Sequence, residues 1–152
     1  MNNVRKATAN DIETIARFNQ AMSLETESKS LDSNLIIPGV TYLVEHPDAG
    51  FYLVAETKGQ LSGCLGITYE WSDWRNGLFW WIQSVFVEPN FRRQNVFTSM
   101  YEHVTDLAKQ NKACGLRLYV EKENTQAQAT YKKLNMIETH YRLMEIEFWL
   151  AR

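Results

Sequence analysis

The run Arg92-Arg93-Gln94-Asn95-Val96-Phe97 stands where an apolar strand gives way to a helical pattern, and that position has a chemistry of its own. The first backbone N–H groups of a helix find no partner inside it. With the positive end of the helix dipole, they suit a phosphate or pyrophosphate. Residues Arg93 to Thr98 hold this place, and Arg92 and Arg93 add charge beside it. Read alone, the run is better explained as a surface arginine pair on an ordinary strand-to-helix turn. The other reactive residue types are scattered. Cys64 and Cys114 are too few for a disulfide framework and read as reduced packing residues. His46, His103 and His140 lie far apart without metal-ligand spacing, so no metal is expected.

Around that loop the sequence alternates in type. Val4 to Ala7 reads as a strand, and Thr8 or Asn10 as the cap of a helix over Asp11 to Met22, where Ile12, Ile15, Ala16 and Asn19 recur at helical spacing. Leu24 to Asn34 is a polar helix or loop that ends through Pro38-Gly39. Val40 to Glu45 is a short helix or turn. Phe51 to Glu56 and Gln60 to Tyr69 read as strands joined at Lys58-Gly59. Leu78 to Val87 is too continuously apolar for a one-sided strand, as expected near a sheet centre. Val96 to Gln110 is helical, Leu116 to Val120 a strand, Thr125 to Leu134 helical, and Met136 to Leu150 one or two final strands. The order predicts an α/β domain spanning residues 1–152, with a β-α-β unit from Leu78 to Val120 whose strands run parallel.

Bulk properties narrow the partners. With 152 residues, 45% of them hydrophobic, the chain can bury a core of one domain. A net charge of -2 with no basic block gives no reason to expect nucleic acid. No apolar run is long enough for a membrane helix, and Met1 to Lys6 leads into no signal-like segment, so a cytoplasmic protein is expected.

The segment Val85-Phe86-Val87-Glu88-Pro89-Asn90-Phe91-Arg92-Arg93-Gln94-Asn95-Val96-Phe97 resembles the acetyl-CoA-binding motif of the GNAT family of N-acetyltransferases. That motif is a strand, a proline-containing turn, then Arg/Gln-x-x-Gly-x-Gly/Ala opening a helix. Downstream, Asn124, Ala127, Tyr131 and Asn135-Met136 are similar to the family's Asn-x-x-Ala-x-x-x-Tyr-x-x-x-Gly-Phe. Both motifs fall in residues 78–136, in the family's strand-helix-strand order. Asn95 and Phe97 stand where the family has glycine and a small residue. Asparagine tolerates left-handed geometry better than most side chains, so Asn95 is expected to keep the loop shape. Phe97 fits if its side chain turns into the core.

The resemblance implies the GNAT acyl-CoA N-acyltransferase fold: a mixed, mostly antiparallel sheet with a splayed parallel strand pair and flanking helices. It implies acetyl-CoA as co-substrate, its pyrophosphate on Arg92, Arg93, Gln94, Asn95, Val96, Phe97 and Thr98. Backbone groups of Val85, Phe86 and Val87 would bind the pantetheine arm and acetyl carbonyl, one N–H facing the developing oxyanion. Gln83 and Ser84 are polar in an apolar strand and either bond locally at a bulge or meet ligand. Asn124 would cap its helix, touch the cofactor arm, or both. Tyr131 is the implied general acid for the departing thiolate. Glu25 and Glu27, after the first helix, are implied as acceptors of the amine's proton, with Glu70 and Asp73 as alternatives. For each carboxylate a solvated surface role is the plainer account.

The resemblance thus implies an N-acetyltransferase acting on a small-molecule amine or amino acid-like acceptor by direct transfer in a ternary complex. No nucleophile is required, since neither cysteine lies in the motifs. Two variants stay open: a protein N-terminus or lysine as acceptor, and a non-catalytic acyl-CoA sensor with an altered loop. Trp71 and Trp74 are expected at an acceptor pocket or a subunit contact. The apolar end Phe148-Trp149-Leu150 makes a homodimer plausible.

Overall fold

The computed structural model describes residues 1–148 and divides into two compact units, Met1–Leu118 and a second from Tyr119 onward, each taken here by itself. The first unit contains β1 (Asn2–Lys6), α1 (Ile12–Glu27), α2 (Ser33–Glu45), β2 (Gly50–Thr57), β3 (Gln60–Ser72), β4 (Gly77–Val87), α3 (Val96–Gln110) and β5 (Gly115–Arg117). Among the described residues the strands form one sheet in the order β1-β2-β3-β4-β5. The β1–β2, β2–β3 and β3–β4 pairs are antiparallel and β4–β5 is parallel.

Two cores flank the sheet. On one face Phe51, Leu53, Ala55, Leu65, Ile67, Trp80 and Ile82 pack under Val96, Met100, Val104 and Ala108 of α3. These side chains recur every second residue on the strands and every fourth on the helix, the two periods that face one element onto the other. Each fully buried aliphatic side chain there contributes roughly 1.5–3 kcal/mol. Gly63 brings α3 close: a Cβ on it would stand 3.2 Å from Val96 Cγ1 and 3.3 Å from Met100 Cε. On the opposite face Tyr52, Val54, Cys64 and Phe86 meet Ile15, Ala16 and Phe18 of α1 and Val40 of α2.

The amino-terminal end of α1 is fixed by charge. Arg5 on β1 reaches Asp11 at 2.8 Å and Glu56 of β2 at 2.8 Å. The Arg5 guanidinium holds the Asp11 carboxyl below the usual carboxylate range. Asp11 also accepts the Thr8 backbone N–H at 2.8 Å.

Several expectations need correction. The helix expected to stop at Met22 runs to Glu27, and α2 is continuous through Pro38-Gly39 rather than broken there. Pro38 lies inside α2, where it removes one hydrogen bond, while Val40 is fully buried against the sheet. Asp32 caps α2 by accepting from Asn34 N at 2.9 Å. The strand expected over Leu116 to Val120 is only Gly115–Arg117. The final strands expected from Met136 onward do not form over residues 136–148. Met144, Ile146 and Phe148 alternate with Glu145 and Glu147 as strand residues do, yet they are exposed. Alternation alone makes no strand without a paired ladder. Trp149 and Leu150 lie outside the described residues.

The second unit contains α4 (Thr125–Lys133). Asn124 caps it, its side chain accepting from Ala127 N at 3.1 Å. Among the described residues no helix is long and apolar enough to cross a membrane.

Candidate active site

The parallel pair comes apart where chemistry was expected. β4 and β5 pair only across Phe79–Gly115, Trp80–Leu116 and Trp81–Arg117. From Ile82 to Val87, β4 has no described strand on that side. An extended backbone with one open edge can receive the amide-bearing arm of a ligand as a further strand would be received.

Within this stretch β4 carries a bulge. Its register against β3 shifts between Cys64 and Gly66, and Ser84 has the left-handed φ of 54°. Ile82 and Val85 both face α3, so the two residues between them share the other face. The Gln83 side chain there donates to Thr68 Oγ1, and Ser84 O lies 3.5 Å from Cys64 Sγ. The Gln83 side chain therefore bonds locally beside the bulge, and Ser84 does so through its carbonyl. Burial pushes the Cys64 thiol up to about 12, so it stays a neutral packing group.

After Val87 the chain makes a short 3-10 turn, Pro89–Phe91, then the loop that opens α3. Arg93 and Asn95 are both left-handed, with φ of 63° and 62°. Asn95 thus adopts the conformation that glycine would supply. Its carbonyl receives Ser99 N at 2.9 Å and Ser99 Oγ at 2.8 Å. Asn2 donates to Gln94 O at 3.0 Å, tying β1 to the loop, and Gln94 Nε2 closes back on Asn90 O at 3.0 Å. The Phe97 side chain packs with the α3-face core and lies 5.9 Å from the Tyr101 ring. Neither substitution for a small residue obstructs the loop, and the opening N–H groups of α3, ahead of Ser99, have no acceptor within the helix. These residues fit a pyrophosphate.

Arg92 joins the loop to α1. It holds Glu25 through both terminal nitrogens, at 2.9 and 3.0 Å, and donates from Nε to Val87 O at 3.0 Å. Its guanidinium lies 5.6 Å from the Phe86 ring centre. The structure thus brings Glu25 to the loop. Glu27 is 3.7 Å from Lys29 instead. A surface cleft of about 410 Å³ between α1 and the β2–β3 turn has Arg17, Glu88 and Phe91 among its walls and does not include the N–H groups of α3.

The remaining candidates have surroundings of their own. Glu70 accepts the Trp81 indole N–H at 2.8 Å and Arg117 Nη1 at 2.9 Å, and these donors lower its pKa. Asp73 lies in the β3–β4 turn with the exposed Trp74, and Trp71 is exposed at the end of β3. Tyr131 is on α4, and burial raises its pKa, which keeps the phenol protonated.

Residues 13–136 match the acetyltransferase (GNAT) family. The chain belongs to that family. A protein from Bacillus subtilis (strain 168), described as a ribosomal protein bS18-alanine N-acetyltransferase by assignment, is 33% identical over 94 residues. That match covers 62% of this chain and 58% of the Bacillus protein, so less than two thirds of the relative's length is represented. A structure from Clostridium difficile 630, described as a possible acetyltransferase, is 40% identical, with a TM-score of 0.90 and 97% of each chain covered. A predicted acetyltransferase from Clostridium acetobutylicum, solved with acetyl-CoA, shares the fold at 18% identity, with a TM-score of 0.80 and 96% of each chain covered. Acetyl-CoA is the cofactor that the family assignment supplies.

Proposed function

We propose that this GNAT protein transfers the acetyl group of acetyl-CoA to a primary amine, directly and without an acyl-enzyme. The observation that carries the reading is left-handed Asn95 at the start of α3, with Phe97 turned into the core. Together they keep an anion-binding loop in a chain that lacks the usual small residues. Acetyl-CoA supplies an activated thioester. The loop from Arg92 to Thr98 binds its pyrophosphate, and the open edge of Val85, Phe86 and Val87 binds its amide-bearing arm and orients the carbonyl. Tyr131, protonated at neutral pH, donates to the departing sulfur. Asn124, besides capping α4, contacts the cofactor arm.

Glu25 takes the amine's proton, directly or through water. Its pairing with Arg92 supports this role over Glu27, because it sets Glu25 against the loop. The acceptor is a small amine or amino acid-like molecule. The Bacillus relative supports a second acceptor, the N-terminal alanine of a protein.

The test has two stages. Titration calorimetry with acetyl-CoA should give saturable binding, and its absence at millimolar cofactor would reject both the enzyme and the sensor. A thiol-release assay should then respond to at least one member of a panel of small amines and alanine-starting peptides. Binding without release across the panel would favour the sensor. Response to peptides alone would assign the protein acceptor.

A further inference from the structure

We propose that Arg75 and Arg117, stacked on one aromatic ring, hold a carboxylate of the acceptor. The acceptor is then a peptide that offers its N-terminal amine and carries an acidic side chain about five residues further on. The inference rests on the acetyl-transfer reading, in which the open edge of Val85 to Val87 receives the acetyl group, and of the two acceptors it selects the protein N-terminus.

The register puts the parts on one face. Glu70 lies opposite Phe79, and Phe79 beside Gly115. Thr68 lies opposite Trp81, and Trp81 beside Arg117. Positions two apart on a strand share a face, so these side chains and Gln83 stand on the face away from α3. The cluster that α1 and α2 form there takes in Cys64 and Phe86 but none of Thr68, Glu70, Phe79 or Trp81. Gly115 lets the Phe79 ring lie across β5, since a Cβ on it would stand 2.8 Å from Phe79 Cε1. Two cations rest on that ring. The guanidinium carbon of Arg117 is 3.6 Å from its centre and that of Arg75 is 4.8 Å.

The charges do not balance. Glu70 Oε1 receives both the Trp81 indole N–H at 2.8 Å and Arg117 Nη1 at 2.9 Å. Arg75 Nη1 donates to Ser72 Oγ at 3.3 Å, and among the described residues Arg75 has no ion pair. Two guanidiniums against one bonded carboxylate leave the group positive. Stacking occupies the face of a guanidinium and leaves its N–H edge open to a carboxylate. Glu70 and the ring thus hold Arg117 in place, and Arg75 brings the charge that nothing neutralises. A pair kept for stability alone would need only Glu70 and Arg117, and a partly exposed pair of that kind contributes little.

Reach sets the class of acceptor. Phe79 and Val85 are six positions apart on β4. At about 3.3 Å per residue, with one residue taken up in the bulge, the span is about 15–20 Å. A single amino acid does not bridge it. An extended peptide does so in about five residues, its amine at the open edge and its acidic side chain at the arginines. The face between, with Thr68, Trp81 and Gln83, is half-buried.

The test walks one glutamate along an alanine-starting hexapeptide, from the second position to the sixth, with glutamine in the same place as control. In the thiol-release assay, glutamate at the fourth to sixth position should raise kcat/KM at least about tenfold over glutamine, the scale of one charge-assisted contact. At the second position the two peptides should differ by less than about twofold. The ratio should fall to about one in Arg75→Gln/Arg117→Gln. Equal use of glutamate and glutamine at every position would overturn the proposal, and so would a preference that survives the double variant. Should that variant fail to fold, Arg75→Gln changes only an exposed side chain and should cut the ratio at least about threefold; an unchanged ratio would again overturn it. Release with small amines but with no peptide would overturn the proposal and leave the transferase reading standing. If nothing releases thiol, the transferase reading fails, and the arginine site is decided by titrating the same peptides while following the Trp81 indole N–H resonance. A shift with the glutamate peptide alone would uphold the carboxylate site, and no shift would overturn it.

Discussion

The two faces of the sheet are built to different rules. The face under α3 is apolar along its length, from Phe51 through Leu65 and Ile67 to Trp80 and Ile82. The face under α1 and α2 sets polar groups among its apolar residues: Tyr52, and Gln83 bonded to Thr68, with Asn19 of α1 buried as well. The first face can give up methylene groups only at a cost in stability. The second holds polar groups whose partners must all be present, since a buried polar group without one costs about 1–3 kcal/mol. The difference suggests a division of labour in which one face holds the fold and the other shapes the site.

The largest expected effect tests the holding face. Leu65 is fully buried on it. Leu65→Ala should cost about 3 kcal/mol of unfolding free energy in urea titration, with kcat per folded molecule unchanged. A selective loss of kcat would break the comparison, because this face would then also serve the site.

A smaller stability effect should come from the edge where the two faces share a fastening. Arg5 ties β1 to Asp11 before α1 and to Glu56 on β2. Asp11→Asn should cost about 2 kcal/mol at neutral pH, less than a fully buried pair because Arg5 is partly exposed. The folded pKa of Asp11 lies below its unfolded value, chiefly through the Arg5 hydrogen bond. The contribution is therefore complete above the unfolded value and lost as pH falls through the folded one. Wild-type and Asp11→Asn melting temperatures should converge in acid. A gap that persists there would assign the effect to packing rather than charge.

On the site side, Arg92→Ala should weaken acetyl-CoA about tenfold, the scale of one charge-assisted contact of 1.4 kcal/mol. Stability should change by less than about 1 kcal/mol, because the Glu25 pair is exposed. Glu25→Gln separates the roles of that pair. Loss of kcat with unchanged acetyl-CoA affinity marks Glu25 as the proton acceptor. Changed affinity with kcat retained would leave it only as the partner of Arg92.

How much of this was legible in the sequence depended on the range of the interaction. The apolar period of Val96 to Gln110 gave α3 its limits, because a helix is specified by its own residues. The run from Leu78 placed β4, and the turn at Pro89 placed the loop. Asn124 was legible as a cap because capping is local. Residues that act across strands were not. Glu25 and Arg92 are separated by 67 positions, and nothing local to either names the other. Tyr52 lies against Gly66 only because the register sets the two strands' residues side by side. Residues 136–148 failed in the opposite direction: their alternation suits a strand, but a ladder needs a neighbour that no local pattern contains.

The smallest predicted effect concerns the residue that departs most visibly from the family's loop. Asn95 at φ 62° occupies glycine's conformation with a side chain present. Asn95→Gly removes the residual left-handed strain but adds freedom to the unfolded chain, and these terms oppose each other. Stability should therefore change by less than about 0.5 kcal/mol. Cofactor affinity is free of that cancellation, because bound and free protein are both folded. Losing the side chain lets the pyrophosphate approach the backbone more closely, so acetyl-CoA should bind about two- to threefold tighter, below 1 kcal/mol. Asn95→Ala should move both measurements the other way: alanine keeps a Cβ, lacks asparagine's tolerance of left-handed φ, and should lose about 1 kcal/mol of stability together with affinity. If glycine and alanine both left acetyl-CoA affinity at the wild-type value, the left-handed turn would have no part in holding the cofactor, and the loop's fit would rest on Arg92 and the N–H groups of α3 alone.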